Sequence, residues 1–133
     1  MLGLHLRREH AGSVYARAQN ARPDLIAAYD RALDGADVLL MPTTPGVAHV
    51  YDPDMPVHDQ LMRGWALLAN TAPTDMTGHP ALSMPAAEAD GLPVGAMLIG
   101  RHFQDARLLA VAAAFENAFG WKPGQPPGEP IKW

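Results

Sequence analysis

The sequence predicts an α/β fold in which a mixed β-sheet is covered by helices, and three observations carry that expectation. A short continuous apolar run, "DVLLMP" (37–42), stands between breakers, as a strand buried on both faces does. Two more apolar runs, "PALSMPAA" (80–87) and "LPVGAMLIG" (92–100), are separated by a loop ending in Asp90-Gly91, a hairpin signal, and read as neighbouring antiparallel strands. Segments with apolar residues at helical spacing precede and follow these runs. The resulting order is helix, strand, helix, strand, strand, helix, which suits helices packed on a sheet.

The first helix is expected over 13–33, with Ser13 as N-cap and Leu25, Ile26, Tyr29 and Leu33 on one face. Pro23 either opens a second helix at its first position or kinks a single long one. Gly35 supplies the stop. After the 37–42 strand, "TTPG" forms a loop, and residues 46–60, with Pro53 and Pro56, read as irregular. "LMRGWALL" (61–68) reads as a short helix with Trp65 and Leu68 inward. Gly95 inside the last strand marks a bulge or a close backbone approach. Asp105 caps a helix to Phe119 whose buried stripe is Leu108, Leu109, Ala112, Phe115 and Phe119, with Gly120 as stop. Residues 121–133 form an irregular Pro/Gly-rich tail.

A chain of 133 residues, 48% apolar, holds enough material for the core of one domain or of part of a larger one. Its formal charge of −4 offers no footprint for nucleic acid or for an anionic membrane. The absence of Cys removes disulfides, thiolate catalysis and thiolate metal sites, and is compatible with a cytoplasmic location. The start, "MLGLHLRREHAG", lacks the apolar core of a signal peptide, and no run approaches the roughly 20 residues that span a bilayer.

Candidate chemistry is sparse. Seryl catalysis needs a base within hydrogen-bond reach of the nucleophile, and the two serines are Ser13, explained as a cap, and Ser83, inside an apolar strand where a satisfied hydroxyl is expected. His49, Asp52, Asp54, His58 and Asp59 are metal-ligand types, but their spacing matches no helix-borne or carboxylate-loop pattern and the prolines mark a solvated loop. His79 and His102 flank strands, where hydrogen-bonding and functional roles are both open. Thr43 and Thr44 follow the first strand, where α/β sheets often place ligand-facing loops; they are the candidate substrate contacts, the alternative being a loop that caps its own backbone. No metal and no cofactor is expected.

Three ordered stretches add a resemblance. "YARAQNARPDLIAAYDRALDGADVLLMPTTPG", "ANTAPTDMTGHPALSMP" and "DGLPVGAMLIGRHFQDARLLAVAAAFENAF" resemble the C-terminal region of amidase signature enzymes, most of all the bacterial amidases of simple carboxamides, some of them linked to nitrile hydratases. The resemblance implies a partial amidase-signature fold over residues 1–120. Asn70, Gly78, Pro80, Pro85 and Gly95 then stand as structural motif positions, Gly78 and Pro80 forming the turn that aims the next strand. Two Ala, Ala86 and Ala87, stand after Pro85 where the family usually has a small residue and then Gly.

The family's reaction converts an amide to a carboxylic acid and ammonia. It uses a nucleophilic Ser, a second Ser in a cis peptide and a Lys base, with backbone N–H groups holding the oxyanion. None of that set has a counterpart among these residues: the lysines are Lys122 and Lys132, in the tail, and no Gly-Gly-Ser-Ser run exists. No catalytic residue is therefore assigned. Leu68 stands ten residues before Gly78, where glutamine-reading relatives resemble a pattern with Asp; this favours an apolar amide over glutamine.

The leading expectation is a C-terminal amidase portion that supplies scaffold and part of the pocket for a small-molecule amide. Its partner would be an N-terminal amidase segment, or the chain would self-associate. The alternative is a non-catalytic binding or assembly module on the same scaffold.

Overall fold

The computed structural model describes residues 2–119; the expected tail at 121–133 and the stop at Gly120 lie outside the described residues. Helix α1 (Leu2–His10), which the sequence reading did not assign, is joined to α2 (Ser13–Ala32) through Ala11 and Gly12, both with positive φ (45° and 82°). Gly12 occupies the cap position and Ser13 is already helical, so the expected Ser13 cap is corrected: the left-handed junction requires glycine more than the helix end requires a hydroxyl. Pro23 lies inside one continuous helix, which decides between the two alternatives left open for it. The helix ends at Leu33, whose N–H donates to the Tyr29 carbonyl, and Gly35 at φ 84° turns the chain away.

Strand β1 (Leu39–Pro42) follows, then the exposed 46–56 loop and α3 (Val57–Ala66). A short helix α4 (Ala72–Thr77) fills the middle of the "NTAPTDMTGHP" stretch, and Gly78, left-handed at φ 75°, ends it by donating its N–H to the Thr74 carbonyl. β2 (Ala81–Ala89) and β3 (Leu92–Ile99) form a hairpin whose two turn residues, Asp90 and Gly91, both take positive φ (54° and 76°), as a type I′ turn demands. α5 runs from Asp105 to Phe119. Asp105 is its first helical residue rather than a cap; the Gln104 carbonyl accepts from the N–H groups of Arg107 and Leu108.

The sheet order is β1-β3-β2, antiparallel throughout, with Leu40 opposite Leu98 and Leu82 opposite Leu98 on its other side. The α/β expectation holds, but these three strands contain no parallel pair, so the mixed character expected of the sheet is not found among the described residues. A bulge lies between Pro85 and Ala87, where the sequence places two Ala after the proline. Gly95, opposite Pro85, marks the close approach described below.

Which strand is buried on both faces differs from the expectation. β1 alternates half-buried and exposed, with Leu40 at 66% exposure, because α5 contacts β2 and β3 but nothing among the described residues covers the same face of the edge strand. The doubly buried strand is the middle one: Met97, Leu98 and Ile99 are successive and all buried. Leu98 joins Met84, Leu108 and Ala112 in the core, edged by Val38, Leu82, Ala96, Val111 and Phe115. Met97 and Ile99 point to the opposite face.

Two further expectations are corrected. Trp65 and Leu68, read as inward, are more than half exposed, as are Leu61 and Met62 beside them. α3 carries an apolar stripe with no described element packed closely against it. On α5, Leu109 and Phe119 are exposed; the buried stripe follows Leu108, Val111, Ala112 and Phe115, and Leu109 lies a hundred degrees round the helix from Leu108.

Arg101 fastens the end of β3 to the end of α2. Its Nη2 donates to the Leu33 carbonyl at 2.6 Å, one of the helix's terminal acceptors, and to Asp34 Oδ1 at 3.2 Å. Arg101→Ala is expected to lower stability by about 1–2 kcal/mol, the upper range for a charged donor being trimmed by partial exposure. Both bonds leave one nitrogen, so Arg101→Lys, whose ammonium carries three donors, should recover part of the loss. Urea unfolding checks both; a loss within measurement scatter for Arg101→Ala removes the clamp from the account.

Candidate functional site

The end of β1 runs into a cluster of polar side chains drawn from three segments. Thr43 continues the strand's ladder by donating its N–H to the Gly95 carbonyl at 2.9 Å. Its Oγ1 lies 2.6 Å from Ser83 Oγ, so the hydroxyls of the two outer strands share a hydrogen bond over the middle strand. Only a glycine permits this. A Cβ on Gly95 would sit 2.9 Å from Thr43 Oγ1 and 3.2 Å from Ser83 Oγ. Asn70 approaches from the segment before α4 and donates Nδ2–H to the Pro42 carbonyl at 2.9 Å, while Thr44 Oγ1 donates to the Gly46 carbonyl at 2.8 Å.

Thr43, Asn70, Ser83, Pro85 and Gly95 are thus brought together at the end of β1, against the middle of the β2–β3 hairpin. Thr44 turns its hydroxyl back on its own loop. Gly78 and Pro80 stand just before β2, where the Pro80 carbonyl accepts from the Gly100 N–H. The Thr43–Ser83 pair escaped the sequence reading because the two residues are forty positions apart. The available signal was Gly95 in an otherwise apolar strand.

Each hydroxyl of the pair has one donor and two lone pairs, so with one hydrogen bond shared, capacity remains for a small polar group such as a carboxamide. Acid–base help is a different matter. Among the described residues no His or Lys is hydrogen-bonded to Ser83 or Thr43, and without a base neither hydroxyl is an activated nucleophile.

A second cluster lies where α2, the turn after α4 and the end of β3 meet. The His79 side chain is fully buried; its Nε2 is 3.3 Å from Asp30 Oδ1, and its ring centroid is 4.1 Å from that of His102 and 5.4 Å from that of Tyr29. His79 Nδ1 is buried without a hydrogen-bond partner among the described residues. By contrast, His49, Asp52 and Asp54 lie on the exposed 46–56 loop, where Asp52 Oδ1 accepts the Asp54 N–H at 3.0 Å, and His58 and Asp59 stand in the first turn of α3. An apolar hollow of about 650 Å³ between α1 and α2, lined by residues such as Arg7, Val14 and Tyr15, shares no residue with either cluster.

A family model described as Amidase matches residues 1–109. A protein of Rhodococcus erythropolis described as an uncharacterized protein in the nthA 5' region is 46% identical over 114 residues, which is 82% of this chain and 55% of that protein. The enantioselective amidase of Rhodococcus rhodochrous is 44% identical over 128 residues, 95% of this chain and 25% of the amidase. Among solved structures, a glutamyl-tRNA(Gln) amidotransferase subunit from Thermotoga maritima superposes with a TM-score of 0.67 at 25% identity, covering 98% of this chain and 28% of that one. A bacterial aryl acylamidase of the amidase signature family gives 0.60 at 30% identity, covering 77% and 22%. The chain therefore spans about half the length of the first relative and about a quarter of the others.

Proposed function

This chain belongs to the amidase family, and on that premise we propose that it is the C-terminal portion of an amide hydrolase, supplying scaffold and one wall of the substrate pocket to a catalytic centre carried by other residues. The observation that carries the reading is the Thr43–Ser83 pair: polar, open to a ligand and, among the described residues, without a base. A nucleophile, a bridging Ser and a Lys base would come from a segment bearing a Gly-Gly-Ser-Ser run. Thr43, with Ser83 behind it, would then orient the amide through hydrogen bonds, and Thr44 would hold the loop's shape. Asn70, Gly78, Pro80, Pro85 and Gly95 set the backbone that brings these groups together.

The exposed stripe of α3 and the bare face of β1 support incompleteness. Leu40 on β1, and Leu61, Met62, Trp65 and Leu68 on and just after α3, are all more than half exposed, as the side chains of an interaction surface are. For the substrate, the 44% identity to an enantioselective amidase and the apolar Leu68 favour a simple carboxamide of apolar character. The wider family includes glutamyl-tRNA(Gln) amidotransferase subunits at 31–37% identity, so the preference is one of degree.

The test is reconstitution. The purified chain is mixed or co-expressed with the N-terminal three quarters of the Rhodococcus rhodochrous amidase, and ammonia release from an apolar carboxamide is followed. The chain alone is expected to be inactive, and the pair active. Ammonia release by the chain alone, or a stable but inactive complex, would sink the proposal.

A further inference from the structure

We propose that Asp30, His79 and His102 form a binding site for a divalent transition-metal ion of the zinc type, separate from the amide pocket and independent of the amidase reading. The three residues come from α2, from the turn before β2 and from the loop after β3. Their candidate ligand atoms all lie within 4.8 Å of one another. Among the described residues no other trio of His, Asp or Glu is gathered so closely.

Two imidazoles and one carboxylate make a donor set suited to zinc, cobalt or nickel and poorly suited to calcium or magnesium, which take oxygen ligands. Around zinc, bonds of about 2.0–2.2 Å place tetrahedral ligand atoms roughly 3.4 Å apart, so the trio must contract by little more than an ångström. His102 can supply that movement, since it is half exposed and stands in a loop rather than in β3 or α5.

His79 is the second observation. A histidine side chain with no exposed surface should have both ring nitrogens satisfied, yet Nδ1 has no partner among the described residues and Nε2 reaches Asp30 only at 3.3 Å. That is longer than the 2.7–2.9 Å typical of a charge-assisted bond. An ion between Nε2 and Asp30 would replace this loose contact by two strong ones; Nδ1 would keep the ring proton, with no partner among the described residues. The competing charge is Arg22, whose guanidinium shares the space before Gly78 with the His102 ring. Arg22 is exposed, so water and salt screen it.

The experiment uses the full 133-residue chain prepared without a histidine tag. Zinc binding is measured by equilibrium dialysis, and cobalt binding by visible absorption. One equivalent is expected to bind saturably, and His102→Ala and Asp30→Asn should each weaken binding by at least about tenfold, since even outer partners of metal ligands contribute that much. Both residues are partly exposed, so these variants should keep the fold, which circular dichroism verifies. His49→Ala and His58→Ala should bind like the parent. Absence of saturable binding up to about 1 mM, retention of affinity in either site variant, or loss of it in the loop variants overturns the proposal.

Discussion

Ile99→Ala is expected to destabilise the chain by about 2–5 kcal/mol, a large part of the 5–15 kcal/mol that holds a typical domain together. Ile99 is 0% exposed and sits on the middle strand, opposite Leu39 on one side and Ala81 on the other. Both neighbouring strands hold the backbone in place, so the site has little freedom to collapse around the missing atoms. The cavity term therefore adds to the lost transfer energy. Ile99→Val, which removes a single methylene, should cost about 0.5–1.5 kcal/mol. Leu40→Ala is the internal control: on the same sheet but 66% exposed, it should change stability by no more than about 0.5 kcal/mol. Urea unfolding of the three variants of the chain by itself gives the ranking. Equal losses for Ile99→Ala and Leu40→Ala would mean that β3 is not the doubly buried strand.

That contrast also shows where the sequence was legible. The hairpin was readable because its signals are local: Asp90-Gly91 forces positive φ, and the flanking runs are the right length for strands. α5 was readable to within a residue of its start because helical spacing is equally local. Exposure was not local. "VLLMP" (38–42) and "LPVGAMLIG" are both without a polar side chain, and no periodicity distinguishes a strand buried by this chain from one whose cover lies elsewhere. Only the order β1-β3-β2 separates them. The same limit explains Trp65, Leu68, Leu109 and Phe119, which were given inward places on spacing alone. The short helix α4 was hidden by Pro73 and by turn-forming residues that favour helix ends as much as loops. For the polar clusters, spacing along the chain carried almost no information, because Asp30, His79 and His102 are joined by packing and not by a motif.

Gly95 supplies the test that links the sheet to the pocket. Gly95→Ala is expected to cost about 1–3 kcal/mol, the range for overpacking a well-filled position. Its new methyl would stand 2.9 Å from Thr43 Oγ1 and 3.3 Å from Thr43 Cβ. Thr43 cannot swing aside freely, because it is β-branched, hydrogen-bonded to Ser83, and tied by its own N–H to the Gly95 carbonyl. Relief must come from breaking the hydroxyl pair. Adding Thr43→Ala removes the closest atom, so the double variant should recover part of the loss, and the two changes should be coupled by about 0.5–3 kcal/mol in a double-mutant cycle. Additive effects would mean that the cost of Gly95→Ala arises from the backbone and not from the crowding. In the reconstituted enzyme the cycle has a second readout. If the pair orients the amide, Thr43→Ala alone should raise KM while leaving the chain folded, and Gly95→Ala should do the same through the displaced hydroxyl. A KM that stays unchanged in both variants would leave the pair a purely structural contact between the outer strands and would move the substrate wall away from the end of β1.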